Sequence, residues 1–442
     1  MLYGLIRSIV AFALRLFYRL EVTSSGADLS GPVMFVGNHP NSLIDPALVF
    51  VITERQVTFL AREPLFRVPV LGQVLRALGA LPVYRKQDHP GLMEKNEGTL
   101  ETAAKALSSG RAITIFPEGK SHSAPQLSDI KTGCARIALR VARGGTALRI
   151  IPVGLTYEQK HQFKSAVRIE VGEPLLVSAV GELSGEAEAE WVRALTQRVG
   201  DALRQVTLNL ETWEDLEFIE TADRLLALRN GHVEQHPERL RLLARGAALL
   251  RNEDPERFDE LKDEVLSFRT RLRMVRADPG DLKLQYELTE VVAFVGRNLL
   301  ALLFGFPLFL VGLVLFVVPF LTLRLLAVVV PVSRDRVATL KFTSALVMVP
   351  LWWALLSAGA FEGWGLVGFT VMLVGALPLA IFTRYFLERR AAALGDLMTF
   401  LRLGNRKRLR EHLLFEGEHL QEEINRLAEH LLPRLEAERR AQ

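Results

Sequence analysis

The segment Asn38-His39-Pro40-Asn41-Ser42-Leu43-Ile44-Asp45 puts an imidazole and a carboxylate on one loop, directly after an apolar run. A neutral imidazole accepts a hydroxyl proton near pH 7, and a carboxylate on its other nitrogen fixes tautomer and orientation. The chemistry on offer is general-base activation of an alcohol. Taken alone, such a spacing more often marks an ordinary polar loop pair. A second segment, Phe116-Pro117-Glu118-Gly119-Lys120-Ser121-His122, releases a carboxylate, a glycine and hydrogen-bonding side chains from the end of another apolar run. Glu118, Gly119 and Ser121 suit a polyol phosphate, although a strand-exit turn with Glu118 as a cap is the commoner use of such a segment. A third, Leu81 to Lys86, offers Arg85 as a bidentate phosphate ligand, with Lys86 or Lys131 adding charge. Many basic surface loops look the same.

The elements that must carry these loops are legible as an alternation. Short β-rich runs occur at 33–36, 57–60, 112–116, 148–153 and 167–171, separated by helical stretches. This predicts an α/β fold over 26–180, a mixed sheet flanked by helices. Several of these runs end in the polar segments above, and open α/β sheets bind ligands beyond the carboxyl ends of their strands. Residues 181–296 change character. Trp191, Val192, Leu195, Val199, Leu203 and Val206 recur at helical spacing, and turn signals at Asn230-Gly231, Asp254-Pro255 and Asp278-Pro279-Gly280 divide a polar helical insert.

With 442 residues the chain exceeds one typical domain, and its apolar residues concentrate late. Leu299 to Leu323, Phe342 to Phe361 and Trp364 to Thr383 are uncharged and long enough to span a bilayer. Basic residues flank the last two on their outer ends, which predicts a spanning hairpin with both ends cytoplasmic. Arg297 and Arg324 flank the first, and Pro307, Pro319, Gly305 and Gly312 offer breaks, so 299–332 is expected to re-enter as a hairpin within a membrane-embedded region, 297–390. Residues 1–25 read as an amphipathic helix on the membrane surface, with a soluble core helix as the alternative, and 391–442 as a charged helical tail. A net charge of +4 argues against nucleic acid as a partner. One cysteine, Cys134, excludes an internal disulfide, and the nine histidines show no ligand spacing, so no metal and no cofactor are expected.

These blocks together resemble the glycerolipid acyltransferase superfamily, which includes bacterial lysophosphatidate acyltransferases. More narrowly, the chain resembles the yeast-type glycerol-3-phosphate and dihydroxyacetone-phosphate acyltransferases. The family's His-and-Asp motif falls on His39 and Asp45, its phosphate-contacting block on Gly79 to Arg85, its FPEG block on Phe116 to Gly119, and its proline block on Ile151 to Gly154. The resemblance covers roughly residues 30 to 180. It implies direct transfer, with His39 as base, Asp45 orienting it, and Arg85, Glu118, Gly119, Ser121 and Lys131 as acceptor or phosphate ligands. Acyl-CoA or acyl carrier protein is the implied co-substrate and a phosphorylated glycerol the implied acceptor. The implied location is an integral membrane protein of phospholipid synthesis, facing the cytoplasm from a bacterial inner membrane. One departure stands out: most of the superfamily places four residues between His and Asp, and here there are five.

Other readings remain open at this point. A lysophosphatidate acyltransferase shares every block. A serine esterase using Ser121 lacks the closing glycine of a nucleophile elbow, and Cys134 lies in an apolar stretch. A lipid-binding membrane scaffold without turnover would keep the fold and not the activity.

Overall fold

The computed structural model describes residues 2–441 apart from 86–90, 92–93, 231–236, 276, 283–287, 334 and 405–406, so Lys86 lies outside the described residues. The chain divides into two compact units, Met1–Asn209 with Val330–Phe342, and Leu210–Val329 with Thr343–Gln442.

In the first unit, β1 (Arg19–Ser24), β2 (Val33–Gly37), β3 (Val57–Arg62), β4 (Leu81–Val83), β5 (Ala112–Ile115), β6 (Leu148–Tyr157), β7 (Ala166–Val171) and β8 (Leu175–Val177) build one mixed sheet. Its order is β1-β7-β6-β2-β5-β3-β4, with β8 paired to the start of β6. Neighbours along β6-β2-β5-β3-β4 are parallel, so their carboxyl ends emerge at one end of the sheet. β7 runs antiparallel to β6.

Side chains of β2 alternate between two cores. Val33 and Phe35 pack with α1 (Leu2–Phe17), α2 (Ile44–Ile52) and α3 (Leu71–Ala77), while Met34 and Val36 pack with α4 (Lys95–Ser108), α5 (Gly133–Arg143) and α6 (Gly185–Val206). Burial on both faces is why these strands read as unbroken apolar runs. The α6 helix therefore belongs to the sheet, and the unit boundary falls after Asn209 where the sequence reading put it at 180. The Val192, Leu195, Val199 and Leu203 stripe needed an apolar partner, and the sheet face provides one. At its end, the Val206 carbonyl approaches so closely that a Cβ on Gly154 would lie 1.7 Å from the oxygen.

The N-terminal segment also differs from the helix expected over 1–25. The helix stops at Phe17, and Arg19 opens β1, which pairs with β7. One side of α1 buries Ala11 and Leu14, and another leaves Leu2, Leu5, Ile9 and Phe12 exposed. Arg7 donates to the carbonyls of Phe50 and Thr53 near the end of α2, where last-turn carbonyls have no helical partner.

In the second unit, α7 (Trp213–Asn230), α8 (Pro237–Glu253), α9 (Pro255–Val275) and α12 (Lys407–Ala441) pack together, so the insert and the C-terminal tail share a core. Buried Asp215 accepts from Arg251 and Lys262, each at 2.9 Å. Among the described residues, two helices are long and apolar enough to cross a membrane, Val292–Val329 within α10 (Leu288–Val329) and Val337–Arg390 within α11 (Val337–Gly404). The turn expected inside 299–332 is absent, because α10 is helical throughout and carries Pro307 and Pro319 in its interior. A proline costs a rung and bends a helix without having to reverse it. Gly305 and Gly312 serve as close-approach points, where a Cβ would collide with Phe386 and Thr383. In α11 the backbone leaves helical geometry at Gly365, with φ +62°. Trp353 Nε1 donates to the Met372 carbonyl across that break, a contact a straight helix would hold roughly 28 Å apart.

Candidate active site

β2 ends at Gly37, and the loop after it delivers His39 to the start of α2, whose first turn holds Asp45. His39 Nδ1 lies 2.8 Å from Asp45 Oδ2. The fifth intervening residue is absorbed at Ser42, which takes φ +49°, a left-handed bulge that lets a longer loop close on the same contact. The Asn41 amide donates to Asp45 Oδ2, and the Tyr157 hydroxyl donates to Oδ1, both at 2.6 Å. Asp45 is fully buried. Such convergent donors offset the cost of keeping a carboxylate out of water. Burial and then the charge of Asp45 push the Tyr157 hydroxyl well above its ordinary pKa, so it stays a donor.

The imidazole is held from other sides as well. Its ring stacks on Phe116 at 4.5 Å, and Asn38 exchanges two hydrogen bonds with the backbone of Leu155 in β6, at 3.0 and 2.7 Å. The His39 side chain is 19% exposed. With Nδ1 turned to Asp45, Nε2 is the nitrogen left for proton transfer.

Glu118, expected as an acceptor ligand, is buried and committed to the protein. Oε1 accepts from the His39 amide at 2.7 Å, and Oε2 accepts from the Ser128 amide at 2.7 Å and pairs with His122 Nε2. Burial raises its pKa, but the His122 contact and the Ser128 and His39 amides outweigh it and leave the carboxyl below its ordinary value. Glu118 thus ties the β5 loop to the β2 loop, and the His122 amide adds a bond to the His39 carbonyl at 3.1 Å.

Gly119 takes φ +71°, a conformation open to glycine. Its carbonyl accepts from Arg85 at 3.3 Å, and a Cβ there would touch the Lys131 side chain at 3.7 Å. Arg85 and Lys131 therefore share Gly119 as a neighbour, and the Lys131 side chain is exposed. Ser121 Oγ donates to Asp335 Oδ2 at 2.6 Å. Lys160, half-buried, has its pKa lowered by that burial while the charges of Asp45 and Asp335 act against the shift.

Sequence reasoning singled out His39 and Asp45 and missed the partners of both. Tyr157 ends β6, just past the Ile151 to Gly154 block, and Asn38, Asn41 and His122 lie inside the quoted polar segments, which was the available signal. Asp335 carried none, lying 214 residues beyond its partner Ser121. Cys134 is buried, and burial pushes its thiol up to about 12.

Residues 18–156 match the family model described as Acyltransferase, so the chain carries an acyltransferase-family domain containing the His39 and Glu118 loops. The chain is 32% identical over 133 residues to glycerol-3-phosphate O-acyltransferase 2 of Saccharomyces cerevisiae, covering 29% of this chain and 18% of that protein. It is 29% identical over 175 residues to glycerol-3-phosphate O-acyltransferase 1 of the same yeast, covering 38% and 23%. A 1-acyl-sn-glycerol-3-phosphate acyltransferase of Streptococcus pneumoniae is 24% identical over 177 residues, covering 39% and 59%. The matched region spans less than a quarter of each yeast relative.

Proposed function

We propose that the chain is a membrane-bound O-acyltransferase that moves a fatty acyl group from a thioester, acyl-CoA or acyl carrier protein, to a hydroxyl of glycerol 3-phosphate or a related acceptor. The observation that carries this reading is the 2.8 Å contact between His39 Nδ1 and a buried Asp45, within an acyltransferase-family domain. His39 Nε2 takes the proton of the acceptor hydroxyl as its oxygen attacks the thioester carbonyl carbon. The C–O bond forms, the C–S bond breaks, and the proton returns from the imidazolium to the departing thiolate. No acyl-enzyme intervenes. Asp45 orients the ring and stabilises the imidazolium, and a base so placed contributes about 10² to 10⁴ in rate.

Arg85 and Lys131, gathered at Gly119, are the phosphate ligands in this reading, while Glu118 and Ser121 shape the loop. The α10 and α11 helices supply membrane attachment, which suits a product that partitions into lipid. Similarity to both acceptor classes of relative leaves lysophosphatidate as the second acceptor reading. A serine nucleophile is disfavoured because the Ser121 hydroxyl is already donated to the Asp335 carboxylate. Incorporation of labelled acyl-CoA by purified protein and by His39→Ala, with glycerol 3-phosphate, dihydroxyacetone phosphate and lysophosphatidate as acceptors, tests the proposal. Equal turnover in both proteins would refute His39 as the base, and no turnover with any acceptor would favour a scaffold.

A further inference from the structure

The stretch 335–342, which follows the apolar helix α10 and includes the start of α11, lies in the first unit and touches both loops of the candidate site. Asp335 accepts from Ser121 at 2.6 Å, and Thr339 Oγ1 accepts from the Leu43 amide at 3.2 Å. Leu43 is the N-cap residue of α2, has no side-chain cap of its own, and directly follows the left-handed Ser42. Its amide is one of the donors that a helix start leaves unpaired. Lys341 donates to the His161 carbonyl at 3.2 Å, Ala338 is fully buried in the core beside α2, and Phe342 meets Phe17 edge to face at 6.0 Å. These anchors fix the stretch at several points, so the contacts of Asp335 with Ser121 and of Thr339 with Leu43 are held in place.

We propose that this stretch is a working part of the catalytic machinery, with Thr339 positioning the His39–Asp45 loop and Asp335 positioning the Ser121 loop. Thr339 acts as a cap borrowed from almost 300 residues away. By holding Leu43 it holds the bulge at Ser42, and through it the approach of Asp45 to His39. The proposal rests on the reading of His39 as base. Displacement of a catalytic pair by about 1 Å costs up to roughly 100-fold.

The test compares Thr339→Val, which keeps shape and removes the acceptor, with Thr339→Ser, which restores it, in the full chain. The expected result is a kcat lower by about 10- to 100-fold in Thr339→Val with acceptor KM little changed, near-complete rescue in Thr339→Ser, and faster amide exchange at Leu43 in the valine variant alone. Asp335→Ala is expected to raise acceptor KM, and Asp335→Asn, which keeps an acceptor oxygen, to recover it. Unchanged kcat in Thr339→Val, or equal loss in the serine and valine variants, overturns the proposal. A fully active His39→Ala would refute the catalytic reading instead; Leu43 exchange then decides the strap by itself, with no change in the valine variant counting against it.

Discussion

Tyr157 and His39 grip opposite oxygens of one buried carboxylate, that of Asp45, the hydroxyl at 2.6 Å and the imidazole at 2.8 Å. The strand β6 thereby fixes the direction from which Asp45 can serve the base. Tyr157→Phe removes one donor from a charge that remains buried, which costs roughly 1.5 to 3 kcal/mol. The expected outcome is a drop of that size in denaturant unfolding and a lower kcat. Wild-type kcat in the variant would show that Asp45 keeps its aim without β6.

Asp45→Asn keeps the volume and removes the charge that stabilises the imidazolium. We expect kcat to fall by about 10² to 10⁴ with acceptor KM nearly unchanged, measured as initial rates with labelled acyl-CoA. A parallel rise in KM would point to a collapsed loop.

Ser42 holds a left-handed backbone that costs a non-glycine residue roughly 1 to 2 kcal/mol. Ser42→Gly is expected to keep activity and stabilise the fold by about 1 kcal/mol, whereas Ser42→Val should lower both. Thermal unfolding together with kcat checks the pair, and a destabilised glycine variant would contradict the bulge.

Glu118 titrates below its ordinary value of 4.5 in the folded chain. A depressed carboxylate adds stability that is fully present above the unfolded-state pKa and is lost as pH falls through the folded one. Acid unfolding should therefore shift in Glu118→Gln, with a shallower loss of stability below about pH 4.5 than in the wild type. Identical acid limbs would mean that the His122 and amide contacts do not favour the ionised form.

Arg85→Ala is expected to raise KM for a phosphorylated acceptor by about tenfold or more, with kcat for saturating acceptor largely kept, and Arg85→Lys to recover part of it. A loss confined to kcat would move Arg85 from phosphate binding to loop support.

The fold was legible where burial was complete. The runs at 33–36, 112–116 and 148–153 are apolar because both faces of their strands are covered, and such a run has few other uses. β1 was missed because an edge strand reading Arg-Leu-Glu-Val-Thr-Ser exposes four of its six residues and buries none, and β4 and β8 because three residues carry no period. Within the site, His39 and Asp45 were visible as a motif. Whether a five-residue gap could close depended on one dihedral at Ser42, which composition does not encode. Glu118 was visible as a residue and misjudged in direction: a carboxylate leaving a strand looks the same whether it faces ligand or turns inward to amides. The prolines of α10 suggested a break because proline removes a donor, but a long apolar helix tolerates that loss in its interior.

The return of residues 330–342 to the first unit also sets an order of events during synthesis. The sheet and its helices are complete in sequence by Asn209, yet the piece that caps Leu43 has still to be translated. At 5 to 20 residues per second, the interval from Asn209 to Phe342 lasts roughly 7 to 27 s. Through that interval the nascent domain exposes the surface that Ala338 and Phe342 will cover, and α10 must leave the ribosome before that surface can close. Completion of the His39 and Ser121 loops is thus timed to follow emergence of the first long apolar helix, which withholds a finished candidate site from a chain that has not yet made that helix.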